Sequence, residues 1–365
     1  MITPLIDIIA GARPNFVKIA PIIRALESQA SGRLAYRLVH TGQHYDAAMS
    51  GDFFQQLRIP APHVNLNVGP GSQAVQTGAI MAGYEALLLE TPSQLCLVVG
   101  DVTSTMACAI TAQKMHIPVA HVEAGIRSGD WSMPEEINRM VTDAITNWFF
   151  TTSKTANATL RTMGISDDRI HFVGNTMIDT LTANMDRLTP PVFWSGLGLE
   201  PQNYLVLTLH RPANVDASAN LSRLLQAVAE NAQDRPVVFP VHPRTAKKVN
   251  EMSGIPRNVH LVPPQPYLQF NYLVSRAKAV VTDSGGITEE ATVMGVPCMT
   301  LRDSTERPET VTIGTNELLG TDPAAIAPAL QRLFAGQWKT GSVPELWDGR
   351  AASRIVDVLV RLLAA

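Results

Sequence analysis

Side chains able to move protons or hold anions recur in this sequence directly after short apolar runs. Arg13 and Lys18 follow Leu5–Ala10, Gln43 and His44 follow Tyr36–His40, Asp101 follows Leu95–Gly100, and Glu123 follows Val119–Val122. Further along, His210 with Arg211, His242 with Arg244, and Asp283-Ser284-Gly285-Gly286 repeat the arrangement. The carboxylates Asp101, Glu123 and Glu135 suit general acid and base work once their surroundings separate their pKa values. The run Asp283-Ser284-Gly285-Gly286-Ile287-Thr288-Glu289-Glu290 suits an anion. Glycine lets backbone approach a ligand closely, and amides at a helix N-terminus bind phosphate without a metal. Glu290, about one turn further in, is placed to accept hydrogen bonds from a ribose diol. His210 beside Arg211 suits an anionic leaving group. Taken singly, each residue also fits a cap or a turn. Asp101 would then cap a helix from Thr103, and Glu135 would pair with Arg139 one turn on. Their recurrence after strand upon strand points to a site.

The elements that must carry these residues are legible from hydrophobic patterning. Leu5–Ala10, Tyr36–His40, Leu95–Gly100, Val119–Val122 and Trp148–Thr151 read as strands, nearly continuous in apolar residues. Between them Phe16–Glu27, Ser72–Leu89, Thr103–Met115 and Pro134–Thr146 read as helices, Pro134 suiting a first helical position. Such alternation predicts a parallel sheet covered on both faces. The pattern restarts with strands at Tyr204–Leu209, Val237–Val241, Val259–Val262, Ala279–Thr282 and Pro297–Leu301. The expected organisation is therefore an α/β chain with one doubly wound domain over 1–180 and a second over 200–350. A Pro- and Gly-rich link near Thr189–Glu200 separates them. Ligands in such folds bind at the carboxyl ends of the strands, which predicts a cleft served by both sheets.

Composition narrows the function. The chain has 365 residues, a net charge of -3 and no basic stripe, which argues against a nucleic-acid partner. No apolar run reaches the length of a membrane span, and the start shows no signal-peptide pattern. Three cysteines, Cys96, Cys108 and Cys298, stand apart without ligand spacing, so a disulfide framework and a metal site are not expected. That usage fits a reducing cytoplasm. Neither a Walker loop nor a Gly-x-Gly-x-x-Gly fingerprint occurs, which disfavours a nicotinamide enzyme.

Several motifs, in order along the chain, resemble the UDP-N-acetylglucosamine 2-epimerases of the non-hydrolysing, bacterial type. They are Gly11-Ala12-Arg13-Pro14, Thr41-Gly42-Gln43-His44, Val99-Gly100-Asp101-Val102-Thr103-Ser104-Thr105 and His121-Val122-Glu123-Ala124-Gly125-Ile126-Arg127-Ser128. Pro134–Arg139, Gly174-Asn175, His242-Pro243-Arg244, Asp283–Glu290 and Thr305-Glu306-Arg307-Pro308-Glu309 continue the match. The resemblance implies a GT-B-like fold of two Rossmann-like domains, with the helix at 351–365 packing back on the first. It implies epimerisation at C2 of UDP-N-acetylglucosamine through elimination and re-addition of UDP, without cofactor or metal. Asp101, Glu123 and Glu135 would handle the C2 proton, in an order left open, and His210 would assist the departing diphosphate. Arg13, Lys18, Arg139, Ser284, Gly285, Gly286 and Glu290 would bind substrate. Gln43, His44 and His242 would serve a second UDP-N-acetylglucosamine acting as activator, and a homodimer is expected. The same chemistry on a UDP-2,3-diacetamido uronic acid, and a GT-B glycosyltransferase, are the alternatives.

Overall fold

The computed structural model describes residues 3–42, 54–241, 243–250, 252 and 254–364. Two compact units are present, Met1–Ala183 with Glu345–Ala365, and Asn184–Pro344. In the first unit the strands are β1 (Leu5–Ala10), β2 (Ala35–His40), β3 (Val64–Asn65), β4 (Leu95–Val99), β5 (Val119–Val122), β6 (Trp148–Thr151) and β7 (Ile170–Phe172). They form one sheet in the order β3-β2-β1-β4-β5-β6-β7, parallel at every pairing. The second unit holds β8 (Leu205–Thr208), β9 (Val237–Pro240), β10 (Val259–Val262), β11 (Ala279–Thr282), β12 (Cys298–Thr300) and β13 (Asn316–Leu318). Their order is β10-β9-β8-β11-β12-β13, again all parallel.

The strands read from continuous apolar runs are the central ones. Every residue of β4, β8 and β11 is buried, as expected of a parallel sheet covered on both faces. The three strands that patterning did not reveal, β3, β7 and β13, are short edge strands with partly exposed residues. Little apolar surface is buried there, so little patterning is required.

All four expected helices of the first unit are present, as Arg13–Gln29, Gln73–Glu90, Thr103–Lys114 and Pro134–Ile145. The first begins three residues early, at what read as a turn. Asn15 explains this: its Oδ1 accepts from the backbone N–H groups of Gly11 (3.0 Å) and Ala12 (3.1 Å), and Pro14 suits the first turn. The C-terminal helix, Ala351–Leu363, belongs to the first unit. Its leading amides, Ala351 and Ala352, donate to the Asp179 carboxylate at 3.0 and 2.7 Å. Trp347 Nε1 donates to the Thr152 carbonyl at 2.9 Å just before it.

Both strand orders change direction at one place. β1 lies beside β4, and β8 beside β11, so successive connections leave these neighbours toward opposite edges. The loops after such strands diverge and leave a crevice at the carboxyl ends of the sheet.

Candidate active site

In the first unit the crevice is bordered by the loops after β1 and β4 and by the end of β5. Gly100 turns the chain with φ of +66°, and its N–H donates to the Val122 carbonyl at 3.0 Å. A Cβ there would lie 2.8 Å from Lys18 Nζ and 3.2 Å from Glu123 Oε2, so the turn needs glycine for space as well as for φ. Asp101 follows. It does not cap the next helix, whose N-cap is Val102 with no side-chain cap bond. Instead Arg139 donates to Asp101 Oδ2 from Nε (3.0 Å) and Nη2 (2.8 Å), and Asn138 Nδ2 donates to the Asp101 carbonyl at 2.8 Å. The Asp101 side chain keeps 26% of its surface exposed while that of Arg139 keeps 3%.

Arg139 is also paired with Glu136. Burial would raise the Glu136 carboxyl, but backbone donors from Ser128 and Gly129, together with Arg139, hold it below its ordinary range. Glu135 is half-buried and makes no ion pair with Arg139, so the surface-pair reading of that residue does not hold.

Glu123 stands out by its backbone. Its φ of +76° is left-handed, uncommon for a residue with a side chain and costing of order 1 kcal/mol or more. The N–H groups of Glu123 and Ala124 both donate to the Phe150 carbonyl, at 2.9 and 3.2 Å, which over-determines the conformation. The side chain is buried and paired with the buried Lys18. Arg13 opens the first helix half-buried, and burial pulls its pKa below the ordinary arginine range.

In the second unit Asp283 is the organiser. It is fully buried after β11, and its carboxylate accepts from the backbone N–H of His210 and of Arg211 and from Asn214 Nδ2. His210 Nδ1 lies 2.8 Å from Asp283 Oδ1, while the ring keeps 40% of its surface open. Burial would raise the Asp283 carboxyl, but His210, Arg211 and Asn214 together keep it lowered. An ionised carboxylate that grips Nδ1 fixes the tautomer and the orientation of the imidazole.

Directly after Asp283 the helix Gly285–Val293 begins, with Ser284 as N-cap, no side-chain cap bond and no acidic residue in its first turn. Ser284, Gly285 and Gly286 are partly exposed, so the first-turn amides present the positive helix end to an anion. A Cβ on Gly285 would stand 2.5 Å from Glu306 Oε1. Glu306 is held by Arg302 at 2.7 Å; burial would raise it, but Arg302 and Arg307 push it down to about 2. Glu290 is buried further along this helix and accepts from Tyr267 Oη (2.8 Å) and Asn271 Nδ2 (3.4 Å). Burial raises it to about 7 against those two donors.

Among the site residues expected from sequence, the first unit joins Lys18 to Glu123 and Asp101 to Arg139, with Arg13 at the head of the first helix. The second joins His210, through Asp283, to the Ser284–Gly286 turn. Gln43, His44 and His242 lie outside the described residues. Reading the sequence missed the partners: Glu136 and Asn138 around Asp101, Asp283 and Asn214 behind His210, Tyr267 and Asn271 against Glu290. Their motifs were visible, but a supporting role depends on contacts that spacing does not disclose. Among the described residues no group of His, Cys, Asp and Glu is arranged to hold a metal ion, and no helix is long and apolar enough to cross a membrane. Cys96, Cys108 and Cys298 are buried free thiols, and burial pushes Cys298 up to about 12.

Comparison with known proteins shows the family to which the chain belongs. The family described as UDP-N-acetylglucosamine 2-epimerase matches residues 26–360. The UDP-N-acetylglucosamine 2-epimerase of Methanocaldococcus jannaschii is 37% identical over 97% of this chain and 98% of its own. The UDP-2,3-diacetamido-2,3-dideoxy-D-glucuronate 2-epimerase of Pseudomonas aeruginosa is 38% identical over 97% and 99%. The crystal structure of the M. jannaschii enzyme in complex with UDP-GlcNAc and UDP superposes with a TM-score of 0.88 over 98% of this chain and 99% of that one. A calicheamicin glycosyltransferase, 16% identical with a TM-score of 0.54, shares the fold alone, and the chain is GT-B-like.

Proposed function

Because the chain belongs to the UDP-N-acetylglucosamine 2-epimerase family, we propose that it is the reversible epimerase that interconverts UDP-N-acetylglucosamine and UDP-N-acetylmannosamine. Its class is that of an isomerase. The observation that carries the reading is the pairing of His210 with the buried Asp283, at the threshold of a helix whose first amides are open. That is a cradle for a diphosphate which leaves and returns.

In this mechanism a carboxylate removes the C2 proton, the C1–O bond to UDP breaks, and 2-acetamidoglucal remains bound. A second acid then protonates C2 on the opposite face while UDP re-forms the C1–O bond. Asp101, Glu123 and Glu135 supply the base and the acid. The first-turn amides at Gly285 and Gly286, the Ser284 hydroxyl and the His210 imidazole stabilise the charge on the departing UDP, where an unactivated C2–H most needs help. Glu290 accepts from the ribose diol, and Arg13 and Lys18 add positive charge for the nucleotide. Arg139, buried against Asp101, serves substrate by holding that carboxylate in place. No metal or organic cofactor takes part.

Two further expectations join the proposal. Gln43, His44 and His242 are assigned to recognition of a second UDP-N-acetylglucosamine that acts as activator, for which sigmoidal kinetics are the test. The chain also forms a homodimer. The helix Gln73–Glu90 supports this, since Val75, Ala79, Ala82, Ala86 and Leu89 recur every three or four residues on its exposed face. Three buried free thiols suit a cytoplasmic setting.

Proton NMR of the protein with UDP-N-acetylglucosamine in deuterium oxide tests the reaction. UDP-N-acetylmannosamine carrying deuterium at C2 is expected; free N-acetylmannosamine or an unchanged substrate would refute it. The P. aeruginosa relative, equally similar in identity, motivates a second reading in which C6 carries a carboxylate and C3 an acetamido group. Exchange at C2 of that nucleotide, with UDP-N-acetylglucosamine inert, would favour it. Asp101→Asn and His210→Asn should each keep UDP affinity and lose turnover.

A further inference from the structure

His121 lies on β5, two residues before Glu123, and is fully buried. Its Nε2 stands 2.8 Å from the Gly100 carbonyl oxygen and its Nδ1 stands 2.7 Å from Asp143 Oδ1. A carbonyl only accepts, so Nε2 carries a proton. The Asp143 carboxylate also accepts from the Gly125 N–H at 3.0 Å and from Arg127 Nη1 at 2.7 Å. Burial would raise that carboxyl, but His121 and Arg127 keep it below its ordinary range. An ionised carboxylate is likewise an acceptor only, and Nδ1 must donate to it.

We propose that His121, donating from both ring nitrogens and backed by Asp143, is a positioning residue that clamps the Gly100–Asp101 peptide and so sets the Asp101 carboxylate against Glu123. This rests on the reading that those two carboxylates handle the C2 proton. The clamp has a physical reason. Gly100 has no side chain to resist rotation, and its φ is left-handed. Both carbonyls flanking the Asp101 side chain are instead gripped by side chains, Gly100 O by His121 and Asp101 O by Asn138. One helix, Pro134–Ile145, supplies Asn138, Arg139 and Asp143, the last two one turn apart on its buried face. The carboxylate, the peptide behind it and the ring that holds the peptide therefore share one rigid support. A charge-assisted bond is stronger than a neutral one, which suits a ring that must fix a carbonyl.

Two measurements decide the matter. In 15N-histidine-labelled wild-type protein without substrate, the His121 ring should show a hydrogen-bonded proton on each nitrogen. A ring nitrogen without a proton would overturn the clamp, and this spectrum decides it whether or not the wild type exchanges the C2 proton. In kinetics, His121→Phe should lower kcat by about tenfold to a hundredfold, the scale of a small misplacement of reacting groups, with KM and UDP affinity nearly unchanged. His121→Gln, whose amide still reaches toward the Gly100 carbonyl, should recover part of kcat. A folded His121→Phe variant with wild-type kcat, or equal kcat in the two variants, would refute the role. Should His121→Phe fail to fold, Asp143→Asn with the same spectrum tests whether the carboxylate fixes the second proton.

Discussion

Replacing Glu290 by glutamine should stabilise the second unit while weakening nucleotide binding. Glu290 is buried, with neutral donors from Tyr267 and Asn271, and burial lifts its pKa from 4.5 to about 7. Between those values the folded chain holds a proton that the unfolded chain has released. The stability contributed by the protonated group is thus complete below about pH 4.5 and is lost as pH rises through about 7. At about 1.4 kcal/mol per pH unit the gap amounts to roughly 3 kcal/mol. Glutamine keeps an acceptor for Tyr267 and has no charge to desolvate. Denaturant unfolding of ligand-free wild type and Glu290→Gln should therefore agree near pH 4.5 and diverge by about 3 kcal/mol at pH 8, with the variant more stable. Calorimetric titration with UDP should show the opposite ranking, because the ribose diol needs a charged acceptor. Wild-type affinity should rise with pH through about 7 and that of the variant should stay flat. Parallel stability curves across this pH range would refute the argument that Glu290 carries an uncompensated burial penalty.

Gly285→Ala should lower UDP affinity about tenfold or more, since its Cβ would meet Glu306, whose carboxylate is fixed by Arg302; wild-type affinity by calorimetry would show that the turn can yield. Asp179→Ala removes the acceptor for two leading amides of the C-terminal helix and should cost about 1–2 kcal/mol, with faster hydrogen exchange over Ala351–Leu363. Unchanged exchange there would mean that the cap does not hold the helix. Val75 and Leu89 expose 63% and 71% of their surface, so Val75→Arg with Leu89→Arg should convert a dimer into monomers in sedimentation at unchanged helicity. A persisting dimer would place the interface elsewhere.

The central strands were readable because a parallel sheet buried on both faces needs continuous apolar runs, as β4, β8 and β11 have. β3, β7 and β13 bury too little to leave that trace. Positions in the candidate site were readable for a related reason: polar residues such as Asp101 and His210 interrupt the pattern at strand ends, where the fold opens. Partnerships were not. Asp101 and Glu135 each had a local explanation, as a cap and as a surface pair, and the structure removes both by giving Arg139 to Asp101 and Glu136. Glu136 and Glu135 are neighbours of the same type, and which one faces inward depends on the phase of a helix against a turn of the Ser128–Gly129 backbone. The left-handed φ of Glu123 likewise leaves no compositional sign, because strain is imposed by the surrounding backbone.

Buried charge in these two units is best understood as orientation. A buried ion pair contributes little net stability against an apolar replacement of the same shape, yet removing one partner is costly. Asp101 faces Arg139, Glu123 faces Lys18, and His210 faces Asp283, and in each case one partner is held almost wholly out of water. Such pairs fix a reactive side chain in one place before a ligand arrives, so less reorganisation is left for the reaction itself. Glu290 departs from this pattern, since its hydrogen-bond donors are a phenol and an amide. On the proposed function Glu290 exchanges these partners for a ribose diol, and neutral donors suit that exchange because a ligand displaces them at lower cost than a cation.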